Sequence, residues 1–165
     1  MTSRPTTLLT ILLLLVSTAS FSQPSGKDPK LLALFMYKFT EHITWPTPTD
    51  KKVVGILGAP DVYEELKKLE ARNPRLSVVE VNSLEEAADL HVLFLCSAMK
   101  SEYRAYTRGL SKGNTLIVCE DREDWRLGID IAFQMANDRL SYFIDKGHLE
   151  RRGLVASQRL LGLGG

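Results

Sequence analysis

The chain has 165 residues, 44% hydrophobic and 25% charged, enough for one globular domain with a sizeable core. Its 21 basic and 20 acidic residues leave a formal charge of +1. That balance excludes the concentrated basic field that phosphate-backbone binding needs, so no nucleic-acid partner is expected.

Residues 1–22 read as an export signal. Arg4 supplies a thin positive start, residues 8–16 form an apolar run, and Ser17, Thr18, Ala19, Ser20 and Ser22 supply small side chains for cleavage before Gln23. A retained anchor is the competing reading, but residues 8–19 fall short of the roughly 20 apolar residues that a spanning helix needs. The expectation is a periplasmic protein with a polar, flexible lead-in over residues 23–30 and a domain over residues 31–165. Loss of the leader removes only Arg4, so the mature body is neutral.

Residues 31–46, LLALFMYKFTEHITWP, predict an apolar helix ended by Pro46. Leu31, Phe35, Phe39 and Ile43 recur every four residues, with Leu32 and Met36 beside them, so a wide face requires covering. Pro46 pushes the preceding backbone toward extended geometry and leaves Trp45 at a corner, either packed in the core or presented to a partner.

A strand follows in KKVVGILG, then a helix over 62–72 with Asp61 as its cap, broken by Asn73-Pro74. Residues 76–81 predict a second strand, and Ser83 with Glu86 resembles a capping box that opens a short helix over 84–88. Residues 90–96 form a third strand, apolar except for His91, as in a sheet covered on both faces. A helix over 101–110 and a strand over 115–119 come next. Residues 120–127, EDREDWRL, read as a solvated, charged connection. GIDIAFQMA and RLSYFI then form a hairpin about the turn Asn137-Asp138, before a last helix over 146–152 and the tail LVASQRLLGLGG. This alternation predicts a single-domain α/β fold: an open, mainly parallel, Rossmann-like sheet flanked by helices, with a C-terminal antiparallel hairpin.

The motifs of chemistry are missing. Only Gly58 sits in the first turn, where a dinucleotide fingerprint needs three glycines, and Pro60 removes an amide donor. Ser97, Ser101 and Ser157 lack a nucleophile-elbow setting. Glu120, Asp121, Glu123 and Asp124 do not have the spacing of a calcium loop, and Arg122 and Arg126 interleave them. His42, His91 and His148 show no ligand spacing with the cysteines, so no metal and no cofactor is expected. Cys96 and Cys119 each end an apolar run, which allows either a disulfide, and with it redox sensitivity, or two buried free thiols.

The ordered set of an apolar helix ending in Trp45-Pro46, the strands VGILG, HVLFL, LIV and GIDIAF, and the ending RLSYFID…ERRGLVASQRLLGL resembles the YfiR family of exported proteins over residues 31–163. The resemblance implies a non-enzymatic periplasmic α/β domain that binds the periplasmic part of an inner-membrane diguanylate cyclase and represses it, within cyclic-di-GMP signalling. It also implies a ligand-engaging basic position at Arg151, next to a closing strand in which Phe143 replaces an acid and Asp145 an asparagine. Leu90 replaces the family's usual cysteine, so the usual disulfide pairing does not carry over intact.

The expected partner surface is Trp45 with the tail residues Leu160, Leu161 and Leu163, and the expected ligand pocket is Asp145 with Arg151. Packing of that tail on the first helix is the alternative. The partner is a diguanylate cyclase or a sensor kinase, and a homodimer is also open. The runner-up function is a periplasmic small-molecule sensor, working with a histidine kinase or a transport system, that encloses its ligand at the strand ends. A hydrolase would require a nucleophile and base that the sequence does not offer.

Overall fold

The computed structural model describes residues 27–164, so the predicted leader lies outside the described residues. A six-stranded sheet has the order β3-β2-β4-β5-β6-β7, built from β2 (Lys52–Leu57), β3 (Leu76–Glu80), β4 (Val92–Leu95), β5 (Leu116–Cys119), β6 (Ile131–Ala136) and β7 (Arg139–Ile144). All neighbours run parallel except β6 and β7. These two form the expected hairpin, and Asn137 and Asp138 take the positive φ that its two-residue turn demands.

Helices cover both faces. On one lie α1 (Pro29–His42), α2 (Pro60–Glu70) and α5 (Gln158–Leu163), packed over Val54, Ile56, Phe94, Val118 and Phe133. On the other lies α3 (Tyr103–Gly109), with Tyr103 and Tyr106 set against Leu93, Leu95, Ile117 and Ala132. The wholly apolar β4 and β5 owe their composition to this double covering.

Local chemistry moved several boundaries. α1 begins at Pro29, two residues early, because the Asp28 side chain accepts the Lys30 amide and Pro29 is suited to the first turn. Leu31 is consequently exposed, while Leu32, Met36 and Phe39 carry the buried stripe. α2 starts at Pro60 with Ala59 as its cap, so Asp61 serves in the first turn and does not cap. Half of the expected box forms: Glu86 N donates to Ser83 Oγ at 3.3 Å, but the Glu86 carboxylate accepts from Asn82 N at 2.8 Å and not from the Ser83 amide. Residues 84–88 form only turns, since these two bonds do not offset the cost of nucleating so short a helix. A 3-10 turn, Ser97–Glu102, precedes α3, and another, Arg122–Leu127, occupies the charged connection.

The tail is ordered by partners distant in sequence. β1 (Ile43–Thr44) pairs antiparallel with β8 (Val155–Ala156), Ile43 facing Ala156 and Thr44 facing Val155. This clip ties the end of α1 to the segment after α4 (Lys146–Arg151).

Candidate functional site

Trp45 stands where the chain turns out of β1, and of its two expected roles the structure shows the core one, with little surface left for a partner. It is 6% exposed, its indole Nε1 donates to Asn114 O at 2.9 Å, His91 meets it edge-on at 5.5 Å, and the Lys52 ammonium lies 4.9 Å above its ring. A buried indole with its N–H satisfied is a core residue. Leu160 is likewise buried, and its carbonyl accepts the Tyr142 hydroxyl at 2.9 Å. α5 is held by Ser157, whose side chain accepts the Leu160 amide and whose own amide donates to His42 O at 2.9 Å. Tail packing on α1 therefore overrides the expectation of a free tail for Leu160. Leu161 is half-buried, and Leu163 remains 64% exposed. Leu163 lines a 170 Å³ cleft with Phe35, Lys38, His42 and Arg159, an apolar floor edged by cations.

Asp145 and Arg151 sit at the two ends of α4. Asp145 caps it through His148 N at 2.8 Å, and a Cβ on Gly147 would lie 3.4 Å from Arg151 Nη1 and 3.7 Å from Asp145 Oδ1. Both side chains thus border one spot beside the helix, with Asp145 already engaged as a cap.

Behind them is a buried network that the sequence did not disclose. Arg152 Nη1 donates to Asp130 Oδ2 at 2.7 Å, and its Nη2 and Nε reach Thr115 O at 2.5 Å, Gly113 O at 3.2 and 3.3 Å and Leu110 O at 3.3 Å. Asp130 Oδ2 also accepts the Ile117 amide at 2.7 Å. His148 Nδ1 lies 2.8 Å from Asp130 Oδ1, within ion-pair distance but without hydrogen-bond alignment. In the sequence, the position of Asp130 between two isoleucines in GIDIAF is the one local signal of its burial.

At the carboxyl ends of β4 and β5, Cys96 and Cys119 are both free thiols. Cys96 packs with the α1 face and Cys119 with the α3 face, so the alternation of side chains across the sheet sends them apart. Burial raises both thiols, that of Cys119 to about 12, so neither is an activated nucleophile. Glu120 and Asp124, expected in a solvated loop, are buried. Glu120 Oε2 accepts from Ser97 N at 2.9 Å, Ser97 Oγ at 2.8 Å and Cys96 Sγ at 3.3 Å, while Asp124 pairs with Lys100 at 2.7 Å. The switch point of the sheet, between β2 and β4, is where an open α/β fold takes a ligand. Here Met99 packs over Gly58, which needs its positive φ of 75°, and occupies the place a Cβ there would fill. The runner-up reading of a ligand at these strand ends therefore meets an occupied crevice. Among the described residues no group of three or more His, Cys, Asp or Glu side chains is placed to hold a metal ion.

The model of the YfiR/HmsC-like family matches residues 29–165. The chain belongs to that family, which is regulatory and not catalytic. Comparison with curated proteins gives no significant match.

Proposed function

We propose that this protein is an exported regulator that binds the periplasmic part of an inner-membrane diguanylate cyclase and holds it inactive. The family match over residues 29–165 carries the reading, since its members are periplasmic and associated with such cyclases. In support, the polar groups at the strand ends are spent on one another, as Glu120 is on Ser97 and Cys96, and the buried Asp130 is spent on Arg152. The contact surface is the exposed end of α5 around Leu163, edged by Lys38 and Arg159. Trp45 and Leu160 serve it indirectly by fixing the corner and the helix.

A regulator of this kind shifts its partner's equilibrium only by the difference in affinity for the two partner states. A preference of about 4 kcal/mol changes activity roughly a thousandfold. Co-expression with the cyclase should lower cellular cyclic-di-GMP, and Leu163→Asp should restore it while the fold stays intact. A cyclase whose output is the same with and without the protein would overturn the proposal. The mass of the exported chain checks the leader: it should begin at Gln23.

A further inference from the structure

A cleft of about 350 Å³ opens between α3 and the 3-10 turn Arg122–Leu127, with His148 of α4 in its wall. α3 presents Arg104 and Arg108 one turn apart, and the 3-10 turn adds Arg126. Gly128, at φ 88°, brings that turn against α3, where a Cβ would meet Thr107 at 3.4 Å. All three arginines are exposed, and no carboxylate lines the cleft. Among the described residues none of the three guanidinium groups has an ion pair or hydrogen-bond acceptor, and Arg126 lies 5.6 Å above the Trp125 ring. The body of the protein is electrically balanced, so this is a local concentration of positive charge.

His148 completes the wall. Its amide is pinned by Asp145 and its Nδ1 faces Asp130, which leaves Nε2 as the ring atom available to a ligand. Guanidinium forks match the oxygens of a phosphoryl group two at a time. One fork suffices for a carboxylate, whereas three cations without an acid fit a dianion. The volume is at the small end for ligand sites, room for one phosphoryl group with a short body. We propose that this cleft binds a dianionic phosphoryl group, carried either by a small soluble phosphate monoester or by a lipid headgroup. The site does not depend on which membrane protein is the partner.

The test titrates the purified chain with inorganic phosphate and with glycerol 3-phosphate at ionic strength matched by chloride, read by calorimetry and by tryptophan fluorescence. A parallel arm sediments it with vesicles of phosphatidic acid or of phosphatidylcholine. Saturable binding should weaken about tenfold in Arg108→Gln and further in Arg104→Gln/Arg108→Gln, while Arg75→Gln, outside the cleft, binds as wild type. Binding of the soluble probes assigns the soluble source. Binding confined to phosphatidic acid vesicles, lost in the double variant, assigns the lipid. No binding above chloride in either arm, or binding indifferent to the double variant, overturns the site. Thermal melts of the variants, whose replaced side chains are exposed, confirm that the fold is retained.

Discussion

Two charged neighbourhoods meet at His148 of α4, and they are resolved in opposite ways. Inward, Arg152 and Asp130 are buried and answered: five bonds leave the guanidinium, and the carboxylate takes a backbone amide besides. Outward, Arg104, Arg108 and Arg126 are exposed and unanswered within the chain. His148 touches both, facing Asp130 with Nδ1 while lining the outer cleft. Charge that is satisfied internally holds elements together, here β5, β6, the end of α3 and the residue after α4. Charge left open at the cost of self-repulsion is available to something outside.

The largest effect should come from breaking the inner cluster. Asp130→Ala leaves a buried guanidinium facing carbonyls alone and should cost about 3–5 kcal/mol in urea unfolding. A loss under about 1 kcal/mol would remove the contrast between the two sides. Next comes the tail: Tyr142→Phe deletes the bond to Leu160 O and should cost about 1 kcal/mol, loosening α5 without emptying the core. In the outer cluster the sign reverses. Arg104 and Arg108 are like charges four apart on one helix, so Arg108→Gln should stabilise the fold by about 0.2–0.5 kcal/mol. A variant that gains stability while losing phosphate would sharpen the contrast most.

The sequence made the layered α/β design legible because its signals are periodic: apolar runs at β4 and β5, alternation at β6, turn chemistry at Asn137-Asp138. What it concealed was whatever draws its stability from distant partners. β1 and β8 are two residues each and exist only as a pair. α5 is six residues long and depends on Ser157, His42 O and Tyr142, so the exposure of Leu163 and the burial of Leu160 were not separable beforehand. Trp45 could be read as core or as partner surface because Pro46 ends the helix there, and what decides it is Asn114 O, 69 residues away, which accepts its indole N–H. Glu120 looked solvated for the same reason: the donors that meet its carboxylate are Ser97 and Cys96, more than 20 residues earlier in the chain. Arg104 and Arg108 carried a local signal, arginines at i and i+4 with no acid in helical register between α3 and its flanks, but their convergence with Arg126 and His148 is tertiary.

The smallest expected effect concerns the remaining histidine of the core rim and extends the same rule to a charge that can be switched on. His91 is half-buried beneath the Trp45 corner; its Nδ1 accepts the Val53 amide at 3.2 Å and its Nε2 lies 2.8 Å from Thr49 Oγ1. Burial first, and the neighbouring Lys52 charge second, hold its pKa below the ordinary histidine range. The folded state thus binds this proton less readily than the unfolded chain. The stabilising contribution is full above the ordinary histidine pKa of about 6.5 and is lost as pH falls through the folded value. Protonation would turn Nδ1 from acceptor into donor against an amide that also donates, placing an unanswered cation beside Lys52 with no carboxylate hydrogen-bonded to the ring. Urea unfolding at a series of pH values between about 7.5 and 5 should therefore show wild-type stability falling more steeply than that of His91→Gln, with the two curves converging at the acidic end. Parallel curves would mean that His91 titrates alike in both states and that the corner tolerates its charge.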